Sequence, residues 1–264
     1  MKSITSHANP GFRKLKDLVG SARDRRKHQA SWIEGERLCE AFFNTGQKAM
    51  VLVVSDTLNV DALHTLHGAQ AVETWAVQAS LFCEISQLES SPGWGLMIQE
   101  PQRLLATKAC DVVVLDRVQD PGNLGSMLRS AVAAEIQQAW CISGTVDPWS
   151  PKVLRSAMGA HFAIEIVVGL KEAQVIGHAN KLGVSLLATA NRPQSQSLYS
   201  EALDLSKPCA WVFGQEGEGV SQPLLQASVG VAIPQSSAIE SLNVAAAASV
   251  CMFEMRRRRL SGRY

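Results

Sequence analysis

The chain has no run approaching the ~18–20 consecutive apolar residues that cross a bilayer. Its first residues, MKSITSHANPGFRKLKD, contain no apolar stretch of the secretory-signal kind. The first absence excludes a spanning helix, and the two together give the cytoplasm as the expected address. The six cysteines (Cys39, Cys83, Cys110, Cys141, Cys209 and Cys251) form no CxxC pair, and most sit in apolar runs such as AWCIS and SVCMF. That pattern fits reduced core thiols, with neither a metal site nor a disulfide expected. With 46% hydrophobic and 19% charged residues, the chain has neither the charge excess of a disordered protein nor the Pro/Gly bias of a fibrous one. No internal repeat is visible, and the only biased tract is the RRRR near the end.

What remains is an ordinary globular composition spread over 264 residues, enough for one large domain or two modest ones. The net charge of +1 conceals an asymmetry. Residues 1–30 carry eight Lys/Arg against two Asp/Glu, and residues 256–264 carry five Arg and no acid, which leaves twelve basic and twenty-two acidic residues between them. Basic ends on an acidic body suit a polyanion-binding protein, because phosphate neutralisation supplies most non-specific affinity for nucleic acid. Solvated tails would give the same count.

From Lys14 to Asn44 the spacing of Leu15, Leu18 and Val19, and then of Trp32, Ile33, Leu38, Cys39 and Phe42, predicts one or two helices around the basic segment SARDRRKH. MVLVV (50–54) reads as a strand, 60–79 as paired short helices, and LFCEIS (81–86) and WGLMIQ (94–99) as two further strands. QEPQR (99–103) reads as a linker, so the expected division is a small α/β domain over 1–103 and a second domain over 104–264. In the second, apolar runs at 111–116, 139–143, 163–168, 184–189, 209–214 and 229–234 alternate with helical segments near 123–136, 151–158, 171–182 and 243–258. The runs are continuous rather than alternating, which marks strands covered on both faces. The fold class is therefore α/β with a doubly wound parallel sheet.

Ligands of such sheets bind beyond the carboxyl ends of the strands, and three loops there are unusual. In LDRVQDPGNLGSMLRSA (115–131) a strand gives way to Asp-Pro-Gly and a helix starting near Asn123, which in the plainer reading only caps it. In WVFGQEGEGVS (211–221) the glycines Gly214, Gly217 and Gly219 do not follow GxGxxG, and Glu216 and Glu218 would repel a pyrophosphate. A dinucleotide or ATP cradle is disfavoured, whereas a neutral or cationic cofactor held by backbone groups is compatible. In VAIPQSSAIESLNVAAAASVCMFE (231–254) an alanine-rich helix follows, capped by Ser241 or Asn243.

In this order, DRVQDPGNLGSMLRSA, FGQEGEG and IPQSSAIESLNVAAA resemble the signature motifs of the SpoU (TrmH-like) branch of the SPOUT RNA methyltransferases. SPKVLRSAMGAHF (150–162) resembles the segment between their first and second motifs. RDRRKHQASWIEGERLCEAF (23–42) is similar to the L30e-like RNA-binding domain that precedes the catalytic domain in many members. The resemblance implies a SPOUT domain with a deep trefoil knot, a homodimer, S-adenosylmethionine as cofactor, and methylation of a ribose 2′-hydroxyl in rRNA or tRNA. It implies that Asn123 and Arg129 face the ribose and its phosphate, that Glu216 orders the site, and that Ser241 and Asn243 complete it. Gly214, Ile233 and Leu242 would hold the cofactor's adenosine part, and Arg23, Arg26, Arg256 and Arg257 would meet RNA. Gln235, Ser236 and Ser237 stand where the family commonly has Met and Gly.

None of the three loops contains a histidine to accept the hydroxyl proton, and a guanidinium is too weak an acid to serve as a resting base. Arg129 is therefore expected to clamp the phosphate and stabilise developing alkoxide charge. His161 reads as structural. The competing readings are a base methyltransferase on the same scaffold and an RNA-binding or ribosome-assembly protein without catalysis. Neither a metal nor a membrane is expected as a partner.

Overall fold

The computed structural model describes residues 1–61, 70–101, 104–238 and 241–262. The chain divides into two compact units, Met1–Gln102 with Asp147–Phe162, and Arg103–Val146 with Ala163–Tyr264. The segment 147–162, expected in the C-terminal domain, thus groups with the N-terminal one. Its Trp149 and Leu154 are buried in the apolar cluster of that unit, which accounts for the grouping.

The N-terminal unit contains a five-stranded sheet in the order β1 (Lys2–Ile4), β4 (Ala71–Val77), β3 (Ala49–Ser55), β5 (Trp94–Gln99), β2 (Ala30–Glu34). The first three run parallel, and β5 is antiparallel to both of its neighbours. Successive strand residues face opposite sides, so one layer buries Trp32 and Val53 with Phe12, Leu15 and Leu18 of α1 (Pro10–Gly20), and the other buries Ile33, Leu52 and Val54 with Leu38 and Phe42 of α3 (Glu36–Phe43). Asn9 caps α1 by accepting the Gly11 N–H, and Ser21 caps α2 (Ala22–His28) by accepting the Asp24 N–H.

Several sequence expectations are corrected here. ASWIE is strand β2 rather than helix, because Gln29 turns left-handed (φ 47°) at the end of α2 and both faces of the following five residues are buried. LFCEIS belongs to helix α4 (Ala79–Ile85), not to a strand: Leu81, Phe82 and Ile85 bury one side and leave Cys83 and Glu84 exposed. Of the paired helices expected over 60–79, residues 71–77 form β4 and 62–69 lie outside the described residues. A short helix, α6 (Pro151–Ala157), and His161 complete this unit.

The C-terminal unit contains a seven-stranded, wholly parallel sheet. Its strands are β6 (Val112–Leu115), β7 (Gln138–Ile142), β8 (Glu165–Leu170), β9 (Ser185–Thr189), β10 (Gln196–Ser197), β11 (Cys209–Phe213) and β12 (Val229–Ala232), in the order β10-β12-β9-β11-β6-β7-β8. Helix α7 (Glu172–Leu182) and helix α8 (Gln222–Ala227) cover one face through Val175, Ala179 and Leu224. Helix α5 (Pro121–Ala133) and helix α9 (Val244–Ser261) pack on each other, joined by the Ser130 and Ser249 hydroxyls at 2.8 Å. The chain first runs outward through β6, β7 and β8, and its later strands lie on the other side of β6. The carboxyl ends of β6 and β11 therefore meet at a topological switch point.

The basic end is not one of the solvated tails that the charge count alone allowed. It forms the last turns of α9, and each of its four arginines has a partner. Arg256 pairs with Glu135 at 2.6 Å and Arg257 with Glu254 at 2.8 Å. Arg258 also binds Glu254 and donates to the carbonyls of Leu198, Ser200 and Leu203, while Arg259 binds Asp111 and the carbonyls of Leu205 and Lys207. The hydrogen bonds from Arg257, opposed by burial and joined by those from Arg258, hold the Glu254 carboxyl down at about 2. The two inward arginines fasten the strandless stretch that leads into β11.

All six cysteines are free, with Cys39, Cys141, Cys209 and Cys251 buried, and burial drives the thiols of Cys209 and Cys251 up to about 12. Among the described residues no helix is long and apolar enough to cross a membrane, and no cluster of His, Cys, Asp and Glu could hold a metal ion.

Two stability measurements follow from these contacts. Replacing Arg258 by Met leaves three carbonyls without their donor, while Glu254 keeps Arg257, so urea denaturation should show a loss of about 2–4 kcal/mol, against less than about 1 for Arg257→Met, whose side chain is 63% exposed. His161 is fully buried, with its Nε2–H donated to the Pro148 carbonyl and no partner for Nδ1, and burial holds its pKa down at about 4 against that bond. The unfolded chain therefore takes up a proton below about 6.5 that the folded chain refuses until about 4, and stability falls across this window by up to about 3 kcal/mol as pH drops. Denaturation midpoints measured from pH 7 to 4 should fall less steeply for His161→Gln than for the parent.

Candidate active site

Three loops at the carboxyl edge of the parallel sheet, those after β9, β11 and β12, line a cavity of about 350 Å³. The loop after β6 meets the β11 loop beside it through Glu216. The cavity wall includes Thr189 and Asn191 after β9, Gly214, Gln215 and Glu216 after β11, and Ile233, Ser241 and Leu242 after β12.

The first loop begins at Asp116, which is completely buried, and ends in α5. Asp120, not Asn123, caps that helix: its side chain accepts the Asn123 N–H at 2.7 Å, with Pro121 at the first helical position. Asn123 is thereby released from capping, and its side chain turns to the second and third loops. Its Nδ2 donates to Glu216 Oε1 at 3.0 Å, and its Oδ1 accepts from Asn243 Nδ2 at 3.0 Å. Asn243 caps α9, accepting the N–H groups of Ala245 and Ala246 on its Oδ1. Since the helix amides can only donate and the carboxylate can only accept, the orientation of both amides is fixed by the chemistry at the two ends of the relay.

Glu216 also accepts the backbone N–H groups of Gln119 and Asp120, at 3.4 and 3.3 Å. Burial alone would raise its pKa; the hydrogen bond from Asn123 and the backbone donors outweigh that and lower it. The carboxylate is consequently ionised and weakly basic at neutral pH. It ties three loops together but is poorly suited to taking up a proton.

The second loop folds back on itself through paired hydrogen bonds between Gln215 and Gly219. A Cβ on Gly214 would lie 2.0 Å from the Gly219 carbonyl carbon and 2.1 Å from the Val220 nitrogen, so no other residue fits without opening the loop. The arrangement also answers which group the cavity can take. Its volume lies within the ~300–1,000 Å³ usual for ligand sites. Among the described residues of its lining there is no Lys or Arg, and Glu216 is the one carboxylate, so a polyphosphate finds no counter-charge among them. Val220, Val231, Ile233 and Leu242 give it apolar surface, and Asn191, Gln215 and Gln235 give it polar groups, which together fit an adenosine-bearing, uncharged or cationic molecule.

The fold brings Asn123, Glu216 and Asn243 into one hydrogen-bonded cluster and sets Gly214, Ile233, Ser241 and Leu242 around one cavity. It does not bring Arg129 to them. Six residues beyond Asn123, Arg129 is rotated by about 240° around α5 and stands exposed, with no hydrogen bond or ion pair among the described residues. Glu240 of the third motif lies outside the described residues. Arg23 and Arg26 are exposed on α2 of the N-terminal unit. Sequence pattern did not single out the loop after β9, although the apolar run at 184–189 marked a strand whose carboxyl end is a ligand position. Nor did it single out Asp116 and Arg117, which tie the first loop to the second.

A doubly wound sheet with a ligand cavity at its switch point defines the class. Within it, the profile of the SpoU rRNA Methylase family matches residues 111–253, and the chain belongs to that family. A 23S rRNA (guanosine(2553)-2′-O)-methyltransferase, RlmP, from Bacillus subtilis is 33% identical over 97% of this chain and 100% of its own length. An uncharacterized tRNA/rRNA methyltransferase of Synechocystis is 32% identical over 97% of this chain and 93% of its own. Among solved structures, an S-adenosylmethionine-bound rRNA methyltransferase from Sinorhizobium meliloti superposes with a TM-score of 0.80 at 28% identity, covering 97% of this chain and 98% of that one.

Deleting the Asn123 side chain removes the main hydrogen bond that holds Glu216 ionised. In a carboxyl NMR titration, Glu216 of Asn123→Ala should titrate at higher pH than in the parent; an unmoved midpoint would show that the relay does not set this carboxylate.

Proposed function

We propose that the protein is an S-adenosylmethionine-dependent RNA methyltransferase that transfers a methyl group to a ribose 2′-hydroxyl of rRNA or tRNA. The observation carrying this reading is the cavity without cationic lining beside the Asn243–Asn123–Glu216 relay. The full-length likeness to a 23S rRNA 2′-O-methyltransferase favours rRNA.

When bound, S-adenosylmethionine supplies an electrophilic methyl group on a sulfonium. In this reading Gly214, Ile233 and Leu242 would hold its adenosine part by backbone and apolar contacts, and Glu216 would supply negative charge to the cavity wall. Asn123 and Asn243 orient the ribose, with Ser241 at the rim. Holding a hydroxyl in line with the methyl supplies about 7–11 kcal/mol of barrier reduction, so placement does most of the catalysis. Glu216 is too weak a base for the proton. Arg129, exposed and unpaired among the described residues, clamps the substrate phosphate and stabilises alkoxide charge as it develops.

The remaining parts of the reading are a homodimer and a trefoil knot in the catalytic domain. Support for the dimer comes from Phe253, 46% exposed on α9. The knot is supported by the insertion of β11 between the earlier strands β9 and β6. In residues 1–103 we read an L30e-like RNA-binding domain, with Arg23 and Arg26 as phosphate contacts. Arg256 and Arg257 keep a place there only as charges already offset by Glu135 and Glu254. The cytoplasmic address has its support in the bacterial rRNA methyltransferase among the relatives.

The test is methyl transfer from labelled S-adenosylmethionine to total RNA of a strain lacking the protein, followed by digestion to nucleosides. A labelled 2′-O-methyl nucleoside is expected, with the rate falling at least about a hundredfold in Arg129→Ala. Label on a base would replace the ribose reading, and binding of RNA and cofactor without label would replace the enzyme by an RNA-binding or assembly protein.

A further inference from the structure

We propose that Arg117 is a positioning residue for the cofactor cavity: without lining it, Arg117 straps the loop 214–221 to the loop after β6 and so fixes the wall formed by Gly214, Gln215, Glu216 and Gly219. The inference deepens the proposed function and rests on it.

Arg117 adopts a left-handed backbone (φ 60°), a conformation that is unfavourable for a non-glycine residue and persists only where its surroundings enforce it. Here they do. Its N–H donates to Thr145 Oγ1 at 3.1 Å, and that hydroxyl donates in turn to the Leu115 carbonyl at 2.8 Å. Gly144, itself at φ 98°, lies beside the Arg117 side chain, where an added Cβ would stand at ordinary van der Waals distance from its Cβ, Cγ and Cδ.

So aimed, the guanidinium reaches across to the second loop. Its Nε donates to Asp116 Oδ1 at 3.0 Å, its Nη1 to Glu218 Oε2 at 2.6 Å, and its Nη2 to the Gly219 carbonyl at 3.5 Å. Asp116 accepts the Ser221 N–H at 2.6 Å on its other oxygen, so the buried carboxylate is neutralised by Arg117 and grips the same loop. Glu218, Gly219 and Ser221 are thus held from one side, while Glu216 is held from the other by Asn123 and by the Gln119 and Asp120 amides. Between these two fastenings the loop is shaped by its Gln215–Gly219 pairing, by the Glu218 N–H donated to Gln215 Oε1 at 2.6 Å, and by the close approach at Gly214. Gly219 and its neighbour Val220 line the cavity, so slack at the Arg117 end moves the wall directly.

The experiment is calorimetric titration of the full-length protein with S-adenosylhomocysteine, alongside KM and kcat measured with labelled S-adenosylmethionine and RNA. Arg117→Met should weaken binding by about tenfold, the value of one charge-assisted contact, and raise KM for S-adenosylmethionine more than it lowers kcat. Arg117→Lys keeps the charge beside Asp116 but lacks the fork that spans Glu218 and Gly219, and should fall between the two. Wild-type affinity in a folded Arg117→Met protein overturns the strap. If that variant does not fold, Glu218→Gln decides: its carboxylate is 69% exposed, so folding tolerates the change, and affinity should drop about threefold for a partly exposed pair. An unchanged affinity there also overturns the strap. Parent protein that binds no S-adenosylhomocysteine overturns both this inference and the proposed function, whereas parent binding with unaltered variants overturns the inference alone.

Discussion

The side-chain amide of Asn123 is where three separate stretches of chain become one site. One end of the relay is the amino terminus of α9, whose free N–H groups carry partial positive charge, and the other is the Glu216 carboxylate. The two asparagines between them pass the polarity along without carrying charge themselves. A substitution that breaks this sequence of donors and acceptors releases the third loop from the other two, which stay joined through the Gln119 and Asp120 amides and through Asp116 and Arg117. Because Asp120 takes over the capping of α5, Asn123 can serve the relay at no cost to the helix it sits on.

The electrostatics of the cavity follow from that arrangement. Backbone and amide donors converge on Glu216, so its charge is retained and its basicity reduced, and the lining contributes no cation to attract phosphate. Such a lining disfavours polyphosphates by charge and is compatible with a cationic sulfonium nucleoside. Its described residues include no group built to remove a proton from a ribose hydroxyl, so in the proposed reading the weight of catalysis falls on alignment and on the phosphate clamp assigned to Arg129.

Positive charge is divided between two tasks in this chain. At the C-terminus the arginines of α9 are structural: Arg258 and Arg259 satisfy five backbone carbonyls of the stretch before β11 and neutralise Glu254 and Asp111. On the N-terminal unit, Arg25 is buried against Asp147 and the Leu18 carbonyl, whereas Arg23 and Arg26 stay exposed. A count of charges treats all of these alike. Only burial and partners separate the arginines that hold the fold from those free to meet a polyanion.

The parallel sheet of the C-terminal unit was legible in the sequence because strands buried on both faces read as continuous apolar runs, and the three loops were legible because glycine, proline and paired acids interrupt those runs. Less was legible in the first hundred residues. ASWIE and LFCEI are equally short and apolar, and the choice of strand for one and helix for the other depends on which neighbours cover them, through the left-handed Gln29 and the single buried side of α4. Within the site, sequence spacing identified Asn123, Glu216 and Asn243 as polar residues near strand ends, but not the direction of their amides, the capping role of Asp120 or the reach of Arg117 to Glu218. The capping by Asp120 is local, but the amide and Arg117 partners lie about a hundred residues apart in the chain, and periodicity carries no information at that separation. Pattern determined which segments would be buried, and the tertiary structure alone decided which buried ends meet.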